Sequence, residues 1–352
     1  MRTILWEDGK VVYLNQRKLP KQLEYVCCDD YQRIAKAIKT LEIRGAPAIG
    51  VAAAMGLALV AYNSRAKGRE ELLRRLEQAS CVLRKTRPTA YNLFWAIDRV
   101  NTKVASTPGT VEEVRSTVIA EALAIGKEDL QTNKMIGING ASLIEDGDVV
   151  GTICNAGWLA TSGEYGTALS VIKIAHEQGK RVSVIALETR PILQGARLTA
   201  FELKQDKIDV RVIPDGAIGY CFSKRMIDKF ICGADRIIVS SGGHVINKVG
   251  TNTVSIVAKH YKIPFYVAAP LSTFDFNSSL KDVIIEERDP REVAEIFGRR
   301  IIPEGVSVFN PAFDITSPRL VEAIITERGI IHPPFKKEAE NLLKLKIRPL
   351  NF

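Results

Sequence analysis

The chain has 352 residues, 46% of them hydrophobic and 25% charged, a composition that excludes disorder, collagen and a coiled coil. Its 49 Lys and Arg against 40 Asp and Glu leave a net charge of +9, dispersed rather than gathered into a polyanion-binding tail, so an anionic small substrate fits as well as nucleic acid does. At roughly 100 to 200 residues per domain the length suggests two domains, or one with a substantial extension, and either is long enough to bury a core without staples.

The opening Met1–Asp8 carries acidic residues where a signal peptide needs its apolar centre, and no apolar run is expected to approach the roughly 18 residues of a membrane span. Cys27, Cys28, Cys81, Cys154, Cys221 and Cys232 include no CxxC pair, which argues against a disulfide framework and a structural zinc site. A cytoplasmic protein without membrane association is the expectation. Thr3–Trp6 and Val11–Leu14 flank Asp8-Gly9 and read as a hairpin on a type I′ turn. Residues 30–145 read mostly as helix, with apolar spacing through Tyr31–Leu41, Leu72–Leu83, Val111–Ile125 and Ile136–Ile144. The Ala- and Gly-rich run Ala46–Leu59 is apolar on nearly every face and should be buried all round. These segments make 1–145 a helix-rich first domain that includes the hairpin.

From residue 148 short β-branched runs alternate with amphipathic stretches. Val149–Cys154, Val182–Leu187, Val210–Ile213, a run within Phe230–Val239, and Pro264–Ala268 read as strands, with helices over Gly166–Glu177, Gln194–Leu203, Ile218–Asp228 and Val249–His260. Alternation of this kind gives a parallel sheet, so the fold class is α/β, with a doubly wound Rossmann-like second domain over 146–352. Ligands bind such sheets beyond the carboxyl ends of the strands, where the strand order reverses.

Polar residues gather at those ends. Cys154-Asn155-Ala156-Gly157 follows the first strand, where a thiol facing a helix N-terminus would have its thiolate favoured; a small buried hydrophobe is the competing reading. Asp235 is ambiguous: it ends a strand at Lys229–Gly233 or precedes one at Arg236–Ser240. Arg44-Gly45-Ala46-Pro47 before the buried helix is either a loop or a phosphate site built from backbone N–H groups and an arginine fork. Thr86-Arg87-Pro88-Thr89 and Asn247-Lys248 invite the same choice. No Walker A, GxGxxG, HExxH or GxSxG pattern occurs, His176, His244, His260 and His332 lack ligand spacing, and the dispersed aromatics form no stacking platform.

Together these segments resemble the methylthioribose-1-phosphate isomerase family of methionine salvage, in the superfamily that also holds the regulatory subunits of translation initiation factor 2B. The likeness runs through Leu14–Pro20, Arg44–Gly50, Thr86–Ala90, Cys154–Gly157, Glu188–Pro191, Gln194–Ala200, Gly233–Ile237, Asn247-Lys248, Pro264–Pro270 and Asn310–Asp314, nearly the whole chain. It implies that Cys154 and Asp235 are the catalytic pair, with Asp235 at a strand's carboxyl end. It further implies that Arg44, Gly45, Ala46, Arg87, Gln194, Asn247 and Lys248 hold a sugar phosphate, in a homodimer that needs no cofactor or metal; nucleic acid, for which only the +9 charge speaks, is not an expected partner. Three departures from the family pattern are expected to flank the pocket: Ile153 and Trp158 around the cysteine motif, Ser240–His244, and Ile213–Ala217. The same pattern leaves open a sister isomerase acting on 5-deoxyribose 1-phosphate or ribose 1,5-bisphosphate, and a regulatory subunit without catalysis.

Overall fold

The computed structural model describes residues 1–344; the end of the second expected domain, 345–352, lies outside the described residues. The hairpin forms as β1 (Ile4–Glu7) and β2 (Lys10–Leu14), antiparallel, with Asp8 and Gly9 both at positive φ as a type I′ turn demands. A third strand that the sequence reading left out, β3 (Tyr25–Cys28), pairs with β2.

Helices α1 (Tyr31–Lys39), α2 (Ala46–Asn63), α3 (Arg69–Arg84), α4 (Tyr91–Ala105) and α5 (Val111–Ala141) follow. The others pack around α2, which is buried on nearly every face. At 18 residues α2 is also long and apolar enough to cross a membrane, which corrects the expectation that no run approaches that length. Here its Ala and Gly surface serves close packing between helices. The sequence reading missed α4, whose Leu93, Ile97, Val100 and Val104 form its buried stripe.

Residues 111–144 were expected to hold two helical segments and instead carry one 31-residue helix, α5. Thr110 and Glu113 close its start as a reciprocal capping box. Its glycines are contact points rather than breaks, because a Cβ at Gly137 would stand 2.8 Å from the Ser170 carbonyl oxygen of α6 (Ala168–Glu177). That close approach ties the helical layer to the sheet.

The sheet contains β4 (Val149–Thr152), β5 (Ser183–Leu187), β6 (Asp209–Ile213) and β7 (Lys229–Cys232). Between them lie α6, then a π-helical turn Gly195–Thr199 running into α7 (Ala200–Gln205), then α8 (Ile218–Ser223). Beyond come β8 (Arg236–Ile238), β9 (His244–Lys248), α9 (Thr251–Tyr261), β10 (Phe265–Ala268) and β11 (Phe274–Asp275). The chain then forms α10 (Arg291–Ala294), the short pair β12 (Glu295–Ile296) and β13 (Arg299–Arg300), β14 (Phe313–Thr316), β15 (Ala323–Thr326), β16 (Gly329–Ile331) and α11 (Phe335–Lys344).

The main sheet runs β16-β15-β10-β7-β4-β5-β6, parallel except at the β16 edge. Alternation sorts side chains to two cores: Val184 and Ala186 of β5 enter one, Ile185 and Leu187 the other. Strand order reverses at β4, and β7 lies on its other side. A smaller sheet, β11-β8-β9-β14, carries the chain that leaves β7.

Replacing Gly137 by Ala should force the α5–α6 contact apart. The expected cost is about 1–3 kcal/mol of overpacking, exceeding the helix-propensity gain of about 1 kcal/mol, read as a lower urea midpoint at unchanged slope.

Candidate active site

At the reversal β4 stops at Thr152, two residues short of the expected Val149–Cys154, and Cys154 follows in the loop, held at a φ of +66° that costs a non-glycine residue energy unless its surroundings fix it. They do so through two hydrogen bonds: its N–H donates to Thr189 Oγ1 at 2.9 Å, and its carbonyl accepts from Thr199 Oγ1 at 2.7 Å. The thiol is met by the Gln194 amide, Nε2 to Sγ 3.6 Å, rather than by the start of α6. Gln194 reaches it from the π-helical turn, which presses against β5: a Cβ at Gly195 would fall 1.8 Å from the Leu187 carbonyl oxygen.

The two placements weighed for Asp235 both hold. β7 ends three residues before it and β8 begins one residue after it, with the Asp235 N–H donating to the Ile246 carbonyl at 2.9 Å. Its side chain therefore stands at the carboxyl edge, across from Cys154, and both line one narrow cavity of about 50 Å³. Burial raises the Asp235 carboxyl above the ordinary range, while Lys248, Arg87 and Arg44 oppose that rise and Glu286 adds to it.

Lys248 comes from the end of β9 and is 7% exposed. Its Nζ donates to the Ala312 carbonyl at 2.7 Å and lies 4.9 Å from the Phe313 ring centroid. Burial lowers its affinity for the proton, Cys154 and Asp235 raise it, and Arg288 and Arg87 lower it further. Asn247, its neighbour on the strand, does not line the cavity; its amide donates to Thr251 Oγ1 at 3.0 Å, in the first turn of α9.

The start of α2 forms another wall through Arg44, Gly45 and Ala46. Gly45 sits at φ +96°, and a Cβ there would fall 2.4 Å from Ala160 Cα, so the loop requires glycine. Arg44 donates from Nη1 to Asn155 Oδ1 at 2.5 Å and from Nη2 to the Asn155 carbonyl at 3.2 Å. Arg87 donates from Nε and Nη2 to Glu286 Oε2 at 3.3 and 3.1 Å, and Thr89 Oγ1 joins that oxygen at 3.1 Å.

Sequence reasoning missed Arg288, which also lines the cavity and is held by Glu292 and, at 3.1 Å, by Glu286. It sits in an irregular stretch where periodicity gives no signal. The departures do not all reach the pocket. Trp158 is buried against Phe201 with Leu14, Leu19 and Leu159, because its large ring fills the gap between the loop and the N-terminal strands. His244 turns to the Ser241 carbonyl, and Asp215 accepts from the N–H groups of Thr189 and Arg190. None of the three lines the cavity.

The cavity adjoins a wide cleft of about 1050 Å³ through Leu41, Arg44, Ile192, Gln194 and Arg288, and the cleft's rim bears Arg17, Lys18, Lys21 and Lys39. Among the described residues, no group of three His, Cys, Asp or Glu is placed to hold a metal ion. The geometry is that of a site for a small anion, with cations and a helix start on one side and a thiol and a buried carboxyl on the other.

A family model described as the initiation factor 2 subunit family matches residues 42–333, and the chain belongs to that family. The methylthioribose-1-phosphate isomerase of Desulforamulus reducens is 50% identical over 347 residues, 98% of this chain and 99% of that one. The methylthioribose-1-phosphate isomerase of Thermosipho africanus is 48% identical over 97% of each chain. Among solved structures, 5-methylthioribose 1-phosphate isomerase from Pyrococcus horikoshii superposes with a TM-score of 0.87 at 41% identity, covering 97% of this chain and 95% of that one. A protein from A. fulgidus solved as translation initiation factor eIF-2B, subunit delta, gives a TM-score of 0.85 at 48% identity, covering 98% and 99%.

The electrostatics make a prediction independent of turnover. Carboxyl carbon NMR should find Asp235 titrating above the usual carboxylate range, and Lys248→Met, by removing the largest opposing charge, should raise it further. An unchanged midpoint in the variant would show that the ammonium does not act on this carboxyl.

Proposed function

We propose that the chain is an aldose–ketose isomerase that converts 5-methylthioribose 1-phosphate to 5-methylthioribulose 1-phosphate, the step expected in methionine salvage. The observation that carries this reading is the meeting of Cys154, Asp235, Lys248, Arg44 and Arg87 around one cavity at the strand-order reversal. The relatives' names support it over nearly the full chain. The division at residue 145 belongs to the same reading: 1–145 supplies Arg44, Gly45, Ala46 and Arg87, and 146–352 supplies the rest. A cytoplasmic location and a homodimer also belong to this reading, and the exposed Tyr220 and Ile256, on the neighbouring helices α8 and α9, favour the homodimer.

The substrate's anomeric oxygen is esterified, so its ring does not open as a free sugar's does, and acid help is needed. Asp235, whose hold on its proton burial strengthens, donates that proton to the ring oxygen as the C1 bond to that oxygen breaks. A hydrogen then passes from C2 to C1 with Cys154 assisting, and the C2 hydroxyl gives its proton back to the Asp235 carboxylate as the ketone forms. Atoms balance without a cofactor. The Gly45 and Ala46 backbone at the start of α2, with Arg44, Arg87 and Lys248, holds the phosphate still, while Gln194 orients the thiol. Asn247 acts by fixing the β9–α9 corner that presents Lys248.

The A. fulgidus structure favours a second reading, a regulatory subunit without turnover. Phosphorus NMR with 5-methylthioribose 1-phosphate separates the two. The anomeric phosphate signal should be replaced by that of a primary ester, and Cys154→Ala and Asp235→Asn should each lower the rate by about 10²- to 10⁴-fold in folded protein. Faster turnover of 5-deoxyribose 1-phosphate or ribose 1,5-bisphosphate would move the substrate assignment. No turnover of any of the three, with stable capture of a GTPase factor, would replace this reading by the second.

A further inference from the structure

Beneath the cavity lies a carboxyl group that the mechanism above does not use. Glu202, on α7, is 1% exposed. Its Oε1 accepts from Asn155 Nδ2 at 2.6 Å and from the Leu159 N–H at 3.3 Å, while its Oε2 has no hydrogen-bond partner. The space around it is filled closely, since a Cβ at Gly157 would fall 1.8 Å from Oε2. Thr199, one turn earlier, touches the Asn155 amide at 3.3 Å and holds the Cys154 carbonyl.

Asn155 therefore has its two ends committed to different partners. Its amide nitrogen is turned to Glu202 and its amide oxygen to Arg44 Nη1, and its main-chain carbonyl takes Arg44 Nη2. Without the carboxyl below, nothing but Thr199 would stop that amide rotating, and the fork that aims Arg44 at the cavity would loosen.

We propose that Glu202 is a positioning residue for the anion site, acting through Asn155 to fix the Arg44 guanidinium where it meets the substrate's phosphate. The inference rests on the reading of Arg44 as a phosphate-holding group. Burial supports it, pushing the Glu202 carboxyl up to about 8; the Asn155 amide and the Leu159 and Trp158 N–H groups oppose that rise, and Asp206, just past the end of α7, adds to it. Among the described residues the charged groups tied to this position are Arg44, through Asn155, and Asp206, itself paired with Lys173 of α6 at 2.8 Å. At neutral pH the carboxyl carries its proton and leaves the charge of Arg44 to the ligand. Above that midpoint the carboxylate draws on the same guanidinium, so the anion is held less well as pH rises.

The test uses sulfate, a dianion of phosphate size whose own charge is constant from pH 7 to 9, with binding read by titration calorimetry on the full chain. In the unaltered protein the dissociation constant should weaken about threefold or more across that range, following the buried carboxyl. Glu202→Gln reproduces the neutral acid, so it should bind within about twofold of the unaltered protein at pH 7 and lose the alkaline weakening. Glu202→Ala should weaken binding about tenfold at pH 7, the equivalent of one lost hydrogen bond to a charged group, and raise KM for the sugar phosphate more than it lowers kcat. Lys248 is common to all three proteins, so the difference between the pH profiles reads Glu202 alone. An alkaline loss of the same size in Glu202→Gln overturns the proposal, whether or not Glu202→Ala folds. Should the protein bind sulfate in the expected pattern and fail to turn over the sugar phosphate, the isomerase reading falls while the role of Glu202 stands.

Discussion

Two neighbouring strands, β4 and β7, lead the chain in opposite directions as they leave the sheet, and the buried anion site lies in the gap this opens. Neither strand's loop can close over the other's end, so Cys154 and Asp235 face each other across a narrow cavity. The rest of the molecule completes that gap. The buried helix α2 brings its own start, with Arg44 and Gly45, against the β4 loop, and α5 holds the helical layer at the distance this requires. The smaller sheet returns the chain beside β7 and delivers Lys248.

Burying charge is costly unless it is shared out, and the site distributes it. Lys248 sits over an aromatic face and on a carbonyl, Arg44 on an asparagine, and Arg87 and Arg288 on the common carboxylate of Glu286. Burial drives the Asp235 carboxyl toward its neutral form and the Lys248 ammonium likewise, while each favours the charge on the other. An anionic ligand entering this cavity therefore meets cations already oriented, and a carboxyl able to give a proton. The basic rim of the outer cleft adds attraction over a longer range, subject to screening by salt.

Much of this was legible in the residues. Alternating β-branched runs marked the parallel sheet, and Asp8-Gly9 marked the hairpin, because both depend on local periodicity and turn chemistry. The single span of α5 was not legible: its glycines look like breaks, and only the close approach of α6 and α2 explains them. The position of Asp235 could not be settled by pattern, since strands lie on both sides of it in two different sheets. Arg288 and Glu202 escaped for a related reason. One lies in a stretch without periodicity, the other on the inner side of a helix where a carboxylate would ordinarily face water, and both matter through contacts with distant segments. The expectation that Trp158 borders the pocket failed because a ring of that size had a larger apolar gap to fill elsewhere.

The central claim is that thiol, carboxyl and cations act on one sugar phosphate in one cavity. A crystal structure of Asp235→Asn with 5-methylthioribose 1-phosphate tests it most directly. The expected result places the phosphate on the backbone of Gly45 and Ala46 with Arg44 and Arg87 beside it, the ring oxygen within hydrogen-bond reach of the side chain at position 235, and C1 and C2 against Cys154. A sugar phosphate bound only in the outer cleft, out of reach of both positions, would contradict the account.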